Sequence, residues 1–207
     1  MTPVIRDNAA TGTAPNLVTV LSKPRVATLA ILVMLMLVAA IELTMGRQPM
    51  CTCGFISLWH GPVDSQNSQQ ISDWYTFTHV LHGIAFYGLL SLAARRLPVP
   101  VRLLIAVFLE GAWEIAENSP FIIDRYRTAT FSLDYYGDSI VNSVGDALSM
   151  MTGFALARFL PVWASVALVV VIEVGLVYLI RDNLFLNILM LIYPSESIRA
   201  WQASPPL

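Results

Sequence analysis

Residues 26–43 read VATLAILVMLMLVAAIEL, an apolar run in which Glu42 is the single ionisable side chain. An α-helix rises 1.5 Å per residue, so a hydrocarbon core about 30 Å thick requires roughly 20 residues to span it. The run is therefore long enough to form an uncleaved membrane helix, preceded by Lys23 and Arg25. A cleaved signal peptide is the alternative, but its apolar region would be shorter, and residues 41–44 make a poor cleavage site.

Further apolar segments follow the first one, at residues 77–94, 101–116, 138–158 and 161–180. Of the 207 residues, 56% are hydrophobic and 13% are charged, whereas soluble domains carry about 25% charged residues. These features predict an all-α fold, a polytopic membrane helix bundle of about five transmembrane helices. Residues 184–193 add a short C-terminal hydrophobic segment, which must re-enter, lie at the interface or form an incomplete sixth span.

The segments between the spans divide the chain into a tail and one membrane domain. Residues 1–22 are polar and predict a flexible cytoplasmic tail. Residues 23–207 form a single transmembrane helical domain with two polar loops, near 46–76 and 119–137.

Basic residues at the ends of the spans predict the orientation, because short loops rich in Lys and Arg stay in the cytoplasm. One set of span ends carries Lys23, Arg25, Arg95, Arg96, Arg102 and Arg158. The other set carries Arg47, Arg125, Arg127 and Arg181. We therefore expect a cytoplasmic N-terminus and two outward polar loops. No run of basic residues suggests a nucleic-acid partner.

Ionisable side chains gather in the outer halves of three predicted spans. His79 and His82 lie three residues apart and share one helix face. The next two spans carry polar stripes at helical spacing, namely Glu110, Glu114 and Glu117, and Asp138, Asn142 and Asp146. Because these spans are antiparallel, Glu117 is predicted to lie level with Asp138, and Glu114 with Asn142. All of these residues therefore fall on one side of the membrane.

Ionisable groups at this depth cost about 2.5–3.5 kcal/mol each, so they must be paired, protonated, bound to a metal or open to water. Candidate metal ligands are His79, His82, Glu114 and Asp138, because histidine and carboxylate together suit Zn²⁺, Mn²⁺ or Fe. Candidate catalytic residues are Glu114, Glu117, His82 and Asp138. Candidate substrate-binding residues are Arg127, Asn142 and Arg125, in which the arginine fork would hold an anionic head group. A polar network that only joins helices is the alternative.

Cys51 and Cys53 could bind a metal together with His60, or could be redox active. One intervening residue is short for a zinc knuckle and unfavourable for a disulfide. Two ordinary thiols are therefore the prediction.

Longer motifs lie in the loops and near the span ends: CTCG at 51–54, LWHG at 58–61, HVLHG at 79–83, WEIAENSP at 113–120 and SLDYYGDS at 132–139. From about residue 45 to residue 201 the chain resembles an uncharacterised family of multi-pass inner-membrane proteins of alphaproteobacteria, known by a domain-of-unknown-function label. The resemblance implies a multi-pass protein of the bacterial inner (cell) membrane with no assigned activity.

A looser resemblance is to VanZ-like membrane proteins, a family tied to glycopeptide resistance by an unknown mechanism. It rests on His82, Glu114 or Glu117, Arg127, and a pattern of Asp138, Asn142 and Gly145. The additional His79, the further acidic residues and the Cys-x-Cys loop depart from that family's pattern.

Together these patterns predict an integral inner-membrane protein that binds or processes a lipid or lipid-linked envelope molecule at a periplasm-facing His/Glu/Asp site. Membrane lipids are the expected partners, and a divalent metal is a candidate cofactor. Whether the protein is an enzyme stays open. The alternative is a non-catalytic scaffold or an accessory subunit of a larger membrane complex. A small transporter or proton relay is least favoured, because the inner halves of the spans carry few ionisable groups.

Overall fold

The protein is described from a computed structural model, in which residues 16–130, 132 and 134–204 are described. Most of the predicted tail, residues 1–15, lies outside them. The described part is helical without strands, as the sequence predicts. Its helices are α1 Leu17–Leu21, α2 Pro24–Thr44, α3 Thr76–Ala93, α4 Val99–Glu117, α5 Pro120–Ala129, α6 Ile140–Phe159, α7 Val162–Ile180, α8 Leu184–Ile192 and α9 Glu196–Gln202.

Side-chain caps set the starts of the helices around the site. The Ser139 side chain accepts a hydrogen bond from the Asn142 backbone N–H and begins α6. Ser119 and Asn183 cap α5 and α8 in the same way. Such caps satisfy backbone donors that have no partner inside the helix. The α6 cap fixes Asp138 immediately before the first turn of that helix.

Four helices in the described residues, α2, α3, α6 and α7, are long and apolar enough to cross a membrane. The sequence predicts about five spans and this measure gives four among the described residues; α4 accounts for the difference. Helix α4 has 19 residues but carries an arginine and three glutamates. It buries Glu110 and Glu114 against neighbouring helices while Phe108 and Leu109 are exposed. Its polar face is thus covered by protein, and its apolar face is outward.

Helices α3 and α6 form the most extensive helix pair of the bundle. Their backbones touch at two glycines. A Cβ atom at Gly83 would lie 1.9 Å from the Met150 carbonyl oxygen, and one at Gly153 would lie 2.0 Å from the Val80 carbonyl oxygen. Only small residues permit such an approach between membrane helices. This contact holds the start of α3 beside the first half of α6, where His79 and Asp146 lie.

The polar loop of residues 46–76 packs onto the start of α6. The Asn142 side-chain amide donates to the Gln70 carbonyl oxygen at 2.9 Å, and the Ser139 N–H donates to the Ser68 carbonyl oxygen at 2.9 Å. Gln69 and Gln70 are buried. The loop is therefore an ordered cover over one end of the bundle.

Cys51 and Cys53 are joined by a disulfide, so the prediction of two ordinary thiols is wrong. The turn that ends at Gly54, where φ is +84°, brings the two Cα atoms to 5.1 Å, a separation at which disulfides form. His60 instead contacts Asp64, with 2.9 Å between Nε2 and Oδ1.

The second polar loop contains a helix that the sequence analysis did not predict. Helix α5 occupies ten residues of it, Pro120–Ala129. The short C-terminal hydrophobic segment is confirmed as a separate helix, α8, of nine residues.

Candidate functional site

Three helices bring four buried ionisable side chains together at one end of the bundle. Helix α3 provides His79, α4 provides Glu110 and Glu114, and α6 provides Asp146. The i, i+4 spacing on α4 directs both glutamates to the same face. Members of the predicted stripes on α4 and α6 therefore meet around the His79 side chain of α3.

Both ring nitrogens of His79 face carboxylates. Its Nδ1 lies 2.6 Å from Glu110 Oε1 and 3.5 Å from Glu114 Oε1, while its Nε2 lies 3.7 Å from Asp146 Oδ2. His82, one turn further along α3, places its Nδ1 3.1 Å from Glu110 Oε2. Glu110 thus contacts both histidines, with Oε1 nearest to His79 and Oε2 nearest to His82.

Glu114 lacks the partners that Glu110 has. It is 1% exposed, and neither of its carboxylate oxygens has a hydrogen-bond partner in the described part of the chain. Asp146 Oδ1 also has no hydrogen-bond partner among the described residues. Leaving a buried polar group unsatisfied costs about 1–3 kcal/mol, and more for a charged one. The cluster therefore has carboxyl oxygens that could still bind a hydrogen-bond donor or a metal ion.

Asp138, just before α6, has a complete set of partners. It accepts hydrogen bonds from the Asn118 amide at 2.8 Å and the Tyr135 hydroxyl at 3.0 Å. Asn118 in turn accepts from the Asp138 backbone N–H. Burial raises the pKa of Asp138, and the hydrogen bonds from Asn118 and Tyr135 partly offset that rise. Hydrogen bonds to both carboxylate oxygens therefore fix the position of the Asp138 side chain.

Glu117, at the end of α4, is bound by an aromatic hydroxyl. Tyr126 of α5 donates to Glu117 Oε1 at 2.8 Å, and its hydroxyl also lies 2.9 Å from Asn187 Oδ1 on α8. Burial is the main reason that the pKa of Tyr126 is well above its usual value. The contact ties three helices together at the edge of the cluster.

A cavity of about 160 Å³ adjoins the cluster. His79, His82 and Asp146 form part of its polar wall, together with Glu117 and Asp138. Its apolar wall includes Trp113, Leu184 and Ile188. The cavity of about 160 Å³ therefore has a polar end and an apolar side.

A second cavity of about 290 Å³ lies beside the first, and the two share Ser68, Tyr75, Ser132 and Tyr135 in their walls. Arg181, at the end of α7, lines this second cavity. Its Nη1 donates to the Trp201 carbonyl oxygen at 3.0 Å, and its Nε has no hydrogen-bond partner among the described residues. The sequence pattern around Arg181 did not indicate a role for it in the site.

The predicted substrate-binding residues lie elsewhere. Arg125 donates from Nε to the Leu191 carbonyl oxygen at the end of α8, at 2.8 Å. Arg127 is on the exposed side of α5, and Asn142 is held under the 46–76 loop by Gln70. In the described part of the chain, none of the three is in the wall of the cavity beside the cluster.

The predicted metal ligands are also only partly brought together. His79, His82 and Glu114 lie in or beside the cluster, but the groups whose geometry could hold a metal ion include Glu110 and Asp146 and do not include Asp138. The helical stripes contained both acids. Sequence spacing alone could not tell which members of a stripe face α3.

These features define the class: an α-helical membrane protein with a buried histidine–carboxylate cluster at one end of its bundle. The chain belongs to the family described as "Protein of unknown function (DUF2585)", which matches residues 42–204. This confirms the predicted membership of an uncharacterised family.

Relatives in several alphaproteobacteria are similar over most of their length. A UPF0314 protein of Paracoccus denitrificans is 54% identical over 176 residues, which are 84% of this chain and 91% of that protein. UPF0314 protein R03235 of Rhizobium meliloti is 53% identical over 84% of this chain and 89% of its own length. A UPF0314 protein of Sphingopyxis alaskensis is 54% identical over 81% of this chain and 89% of its own. No solved structure matches the chain.

Proposed function

We propose that this protein binds or processes a lipid-linked envelope molecule whose polar head enters the two adjoining cavities. The observation that carries the proposal is the wall of the cavity beside the cluster. Ile188 lines that cavity and is also 45% exposed, so the wall reaches the outer surface of the bundle. An amphiphile could place its head near His79 and its chain along α8 from the surrounding lipid.

The outer side of α8 supports this route. Phe185 and Ile192 are strongly exposed apolar side chains on that helix. In a membrane they would contact lipid tails, because bare apolar surface of this kind is costly in water. Helix α8 has nine residues and is too short to span a membrane, so its apolar surface is confined to one end of the bundle.

Arg181 supports a head group that carries negative charge. A guanidinium donates along several directions in one plane and suits the oxygens of phosphate or carboxylate. Arg181 is 9% exposed and has its Nε unused in the described part of the chain, at the wall of the adjoining cavity. It replaces Arg125 and Arg127 as the residue we propose to hold an anionic head.

We further propose that this end of the bundle faces the periplasm in the inner membrane, with a cytoplasmic N-terminus. The Cys51–Cys53 disulfide in the 46–76 loop supports this orientation, because disulfides persist outside the reducing cytosol.

Binding of polyprenyl phosphate to the purified protein in detergent tests the proposal, with the neutral polyprenol as the comparison. We expect polyprenyl phosphate to bind more tightly than polyprenol. We expect Arg181→Gln to reduce the ratio of the two affinities. Ile188→Trp should fill the cavity and weaken binding by at least about tenfold, or 1.4 kcal/mol.

The matched control is Val174→Trp, which adds an indole to the outer face of α7, where the native side chain is 62% exposed. It should bind like the unchanged protein. Equal affinities for the two tryptophan variants, or no binding of either lipid, would exclude the cavity as the lipid site.

A further inference from the structure

We infer that His79, His82 and Glu110 bind one divalent transition-metal ion, for which Zn²⁺ is the best match. These residues form a group whose ligand atoms all lie within 4.8 Å of one another. Two imidazoles and one carboxylate are a common ligand set for a zinc ion that keeps a fourth position open. The inference concerns the protein alone and does not require the proposed lipid.

The distances between ligand atoms are close to those of a filled site. Ligand atoms about 2.0–2.1 Å from a tetrahedral ion lie roughly 3.3 Å from one another. His82 Nδ1 is already 3.1 Å and 3.4 Å from the two Glu110 oxygens. The contact between His79 Nδ1 and Glu110 Oε1 is 2.6 Å. An ion would require the contact between His79 Nδ1 and Glu110 Oε1 to open by about 0.7 Å, within the reach of side-chain rotation, and the ligand nitrogens of the two histidines lie within 4.8 Å of each other.

Glu114 is the independent observation that points to an ion. Its carboxylate is buried, and both oxygens lack a hydrogen-bond partner in the described residues. Its Oε1 lies 3.5 Å from His79 Nδ1, the separation expected of a neighbouring metal ligand. A cation between His79 and Glu110 would give this carboxylate a charge to face, either directly or through a bound water.

Asp146 occupies the position that an outer partner of a metal-bound histidine takes. Its Oδ2 lies 3.7 Å from His79 Nε2, on the opposite side of the ring from Glu110. At 3.7 Å the contact is electrostatic, and a small side-chain rotation would bring this carboxylate within hydrogen-bond distance of Nε2 while Nδ1 binds the ion. His79 thus has a carboxylate of α6 on one side of its ring and the carboxylates of α4 on the other.

The charge of the cluster also favours a divalent cation. Glu110, Glu114 and Asp146 are three carboxylates packed around two histidines with little access to solvent. Neighbouring carboxylates repel one another, and burial adds a desolvation cost for each charge. One divalent ion offsets two of these charges. The ion would lie at the wall of the 160 Å³ cavity, because His79 and His82 belong to that wall.

Titration with Co²⁺ tests the inference on the full-length protein in detergent after removal of metals by a chelator. Co²⁺ bound by two nitrogens and carboxylate oxygen in a tetrahedral site gives visible absorption bands. We expect saturation at about one Co²⁺ per chain, and loss of the bands on addition of one equivalent of Zn²⁺.

His82→Gln and Glu110→Gln should each weaken binding at least about 100-fold, and Asp146→Asn about 10- to 100-fold. The control is His60→Gln, which removes the histidine of the 46–76 loop that contacts Asp64, and it should leave the titration unchanged. Circular dichroism and thermal unfolding establish that each variant is folded.

X-ray absorption of the Zn²⁺-loaded unchanged protein provides a second measurement that needs no variant. Two imidazole ligands are expected. A spectrum without imidazole scattering, substoichiometric Co²⁺ binding, or folded His82→Gln and Glu110→Gln variants that bind normally would each overturn the inference. Lipid binding is not part of these assays, so failure of the proposed function would leave this result standing, and the reverse also holds.

Discussion

At the scale of single residues, Asp182 shows how a buried carboxyl group can be fully bonded and still unfavourable when charged. It accepts hydrogen bonds from the Tyr75 hydroxyl at 3.2 Å and the Gln202 amide at 2.9 Å, and it is 3% exposed. Burial raises the pKa of Asp182 to about 7, although the hydrogen bonds it accepts, first that from the Asn183 backbone, lower it. The group joins the start of α3 to α9 through Tyr75 and Gln202, both of which line the cavity of about 290 Å³.

The raised pKa makes stability depend on pH. Between about pH 4 and 7 the folded protein keeps a proton on Asp182 that the unfolded chain has released, so the free energy of unfolding falls as pH rises. The contribution is complete below about pH 4 and lost above about pH 7, a total on the order of 4 kcal/mol at 1.36 kcal/mol per pKa unit. Asp182→Asn removes this dependence. We therefore expect the variant to become more stable relative to the unchanged protein as pH rises through this interval.

Thermal unfolding in detergent from pH 4.5 to 7.5 measures the difference, and Asp64→Asn is the control. Burial raises the pKa of Asp64, but hydrogen bonds from the Gln66 backbone and from His60 lower it by more, so the pKa lies below its usual value. Its replacement should give no relative gain with rising pH. An Asp182→Asn curve that stays parallel to that of the unchanged protein would contradict the assignment.

At the scale of elements, the contact between α3 and α6 determines which residues form the site. Periodicity in the sequence predicts the stripes on α4 and α6, and both exist. It cannot predict that α3 packs against both of them, because spacing along one helix contains no information about its neighbours. The spacing predicts Glu114 level with Asn142, but it does not reveal that Glu114 Oε1 lies 3.5 Å from His79 of α3. Helix α5 was missed because its sequence is polar, although Ser119 and Pro120 are a typical helix start.

Gly83→Ala tests the role of the α3–α6 contact. The added Cβ would lie 1.9 Å from the Met150 carbonyl oxygen, so the helices must separate. We expect a loss of about 1–3 kcal/mol in the free energy of unfolding, typical of overpacking. Co²⁺ affinity should also fall, because His79 would move away from Asp146.

The matched control is Gly88→Ala on the same helix, where nothing lies within 4 Å of the added atom. Alanine is a better helix former than glycine, so this variant should be unchanged or more stable by up to about 1 kcal/mol. Similar unfolding temperatures for the two variants would mean that α3 and α6 are not held in close contact.

At the scale of the whole molecule, the histidine–carboxylate cluster lies inside the bundle while the outer faces of α2 and α7 are apolar. Met36 and Leu37 on α2, and Val171 and Val174 on α7, are strongly exposed. This distribution was predictable from composition, since charge is scarce and apolar runs are long. The order of helices around the bundle was not, because all of the outer faces are similarly apolar.

Orientation decides whether the site can meet an envelope molecule, and reporter fusions test it. The connection after α3 carries Arg95 and Arg96, whereas Asp124 lies on α5 at the opposite end of the bundle, beside the site. The excess of basic residues at the first end predicts that it is cytoplasmic. Alkaline phosphatase should therefore be active when fused at Asp124 and inactive at Arg95, and a cytoplasmic fluorescent reporter should give the reverse pattern. Without reductant, the Cys51–Cys53 pair should also resist alkylation in intact cells. Phosphatase activity at Arg95 would turn the site toward the cytoplasm, and the ligand would then have to be sought among molecules of the inner leaflet.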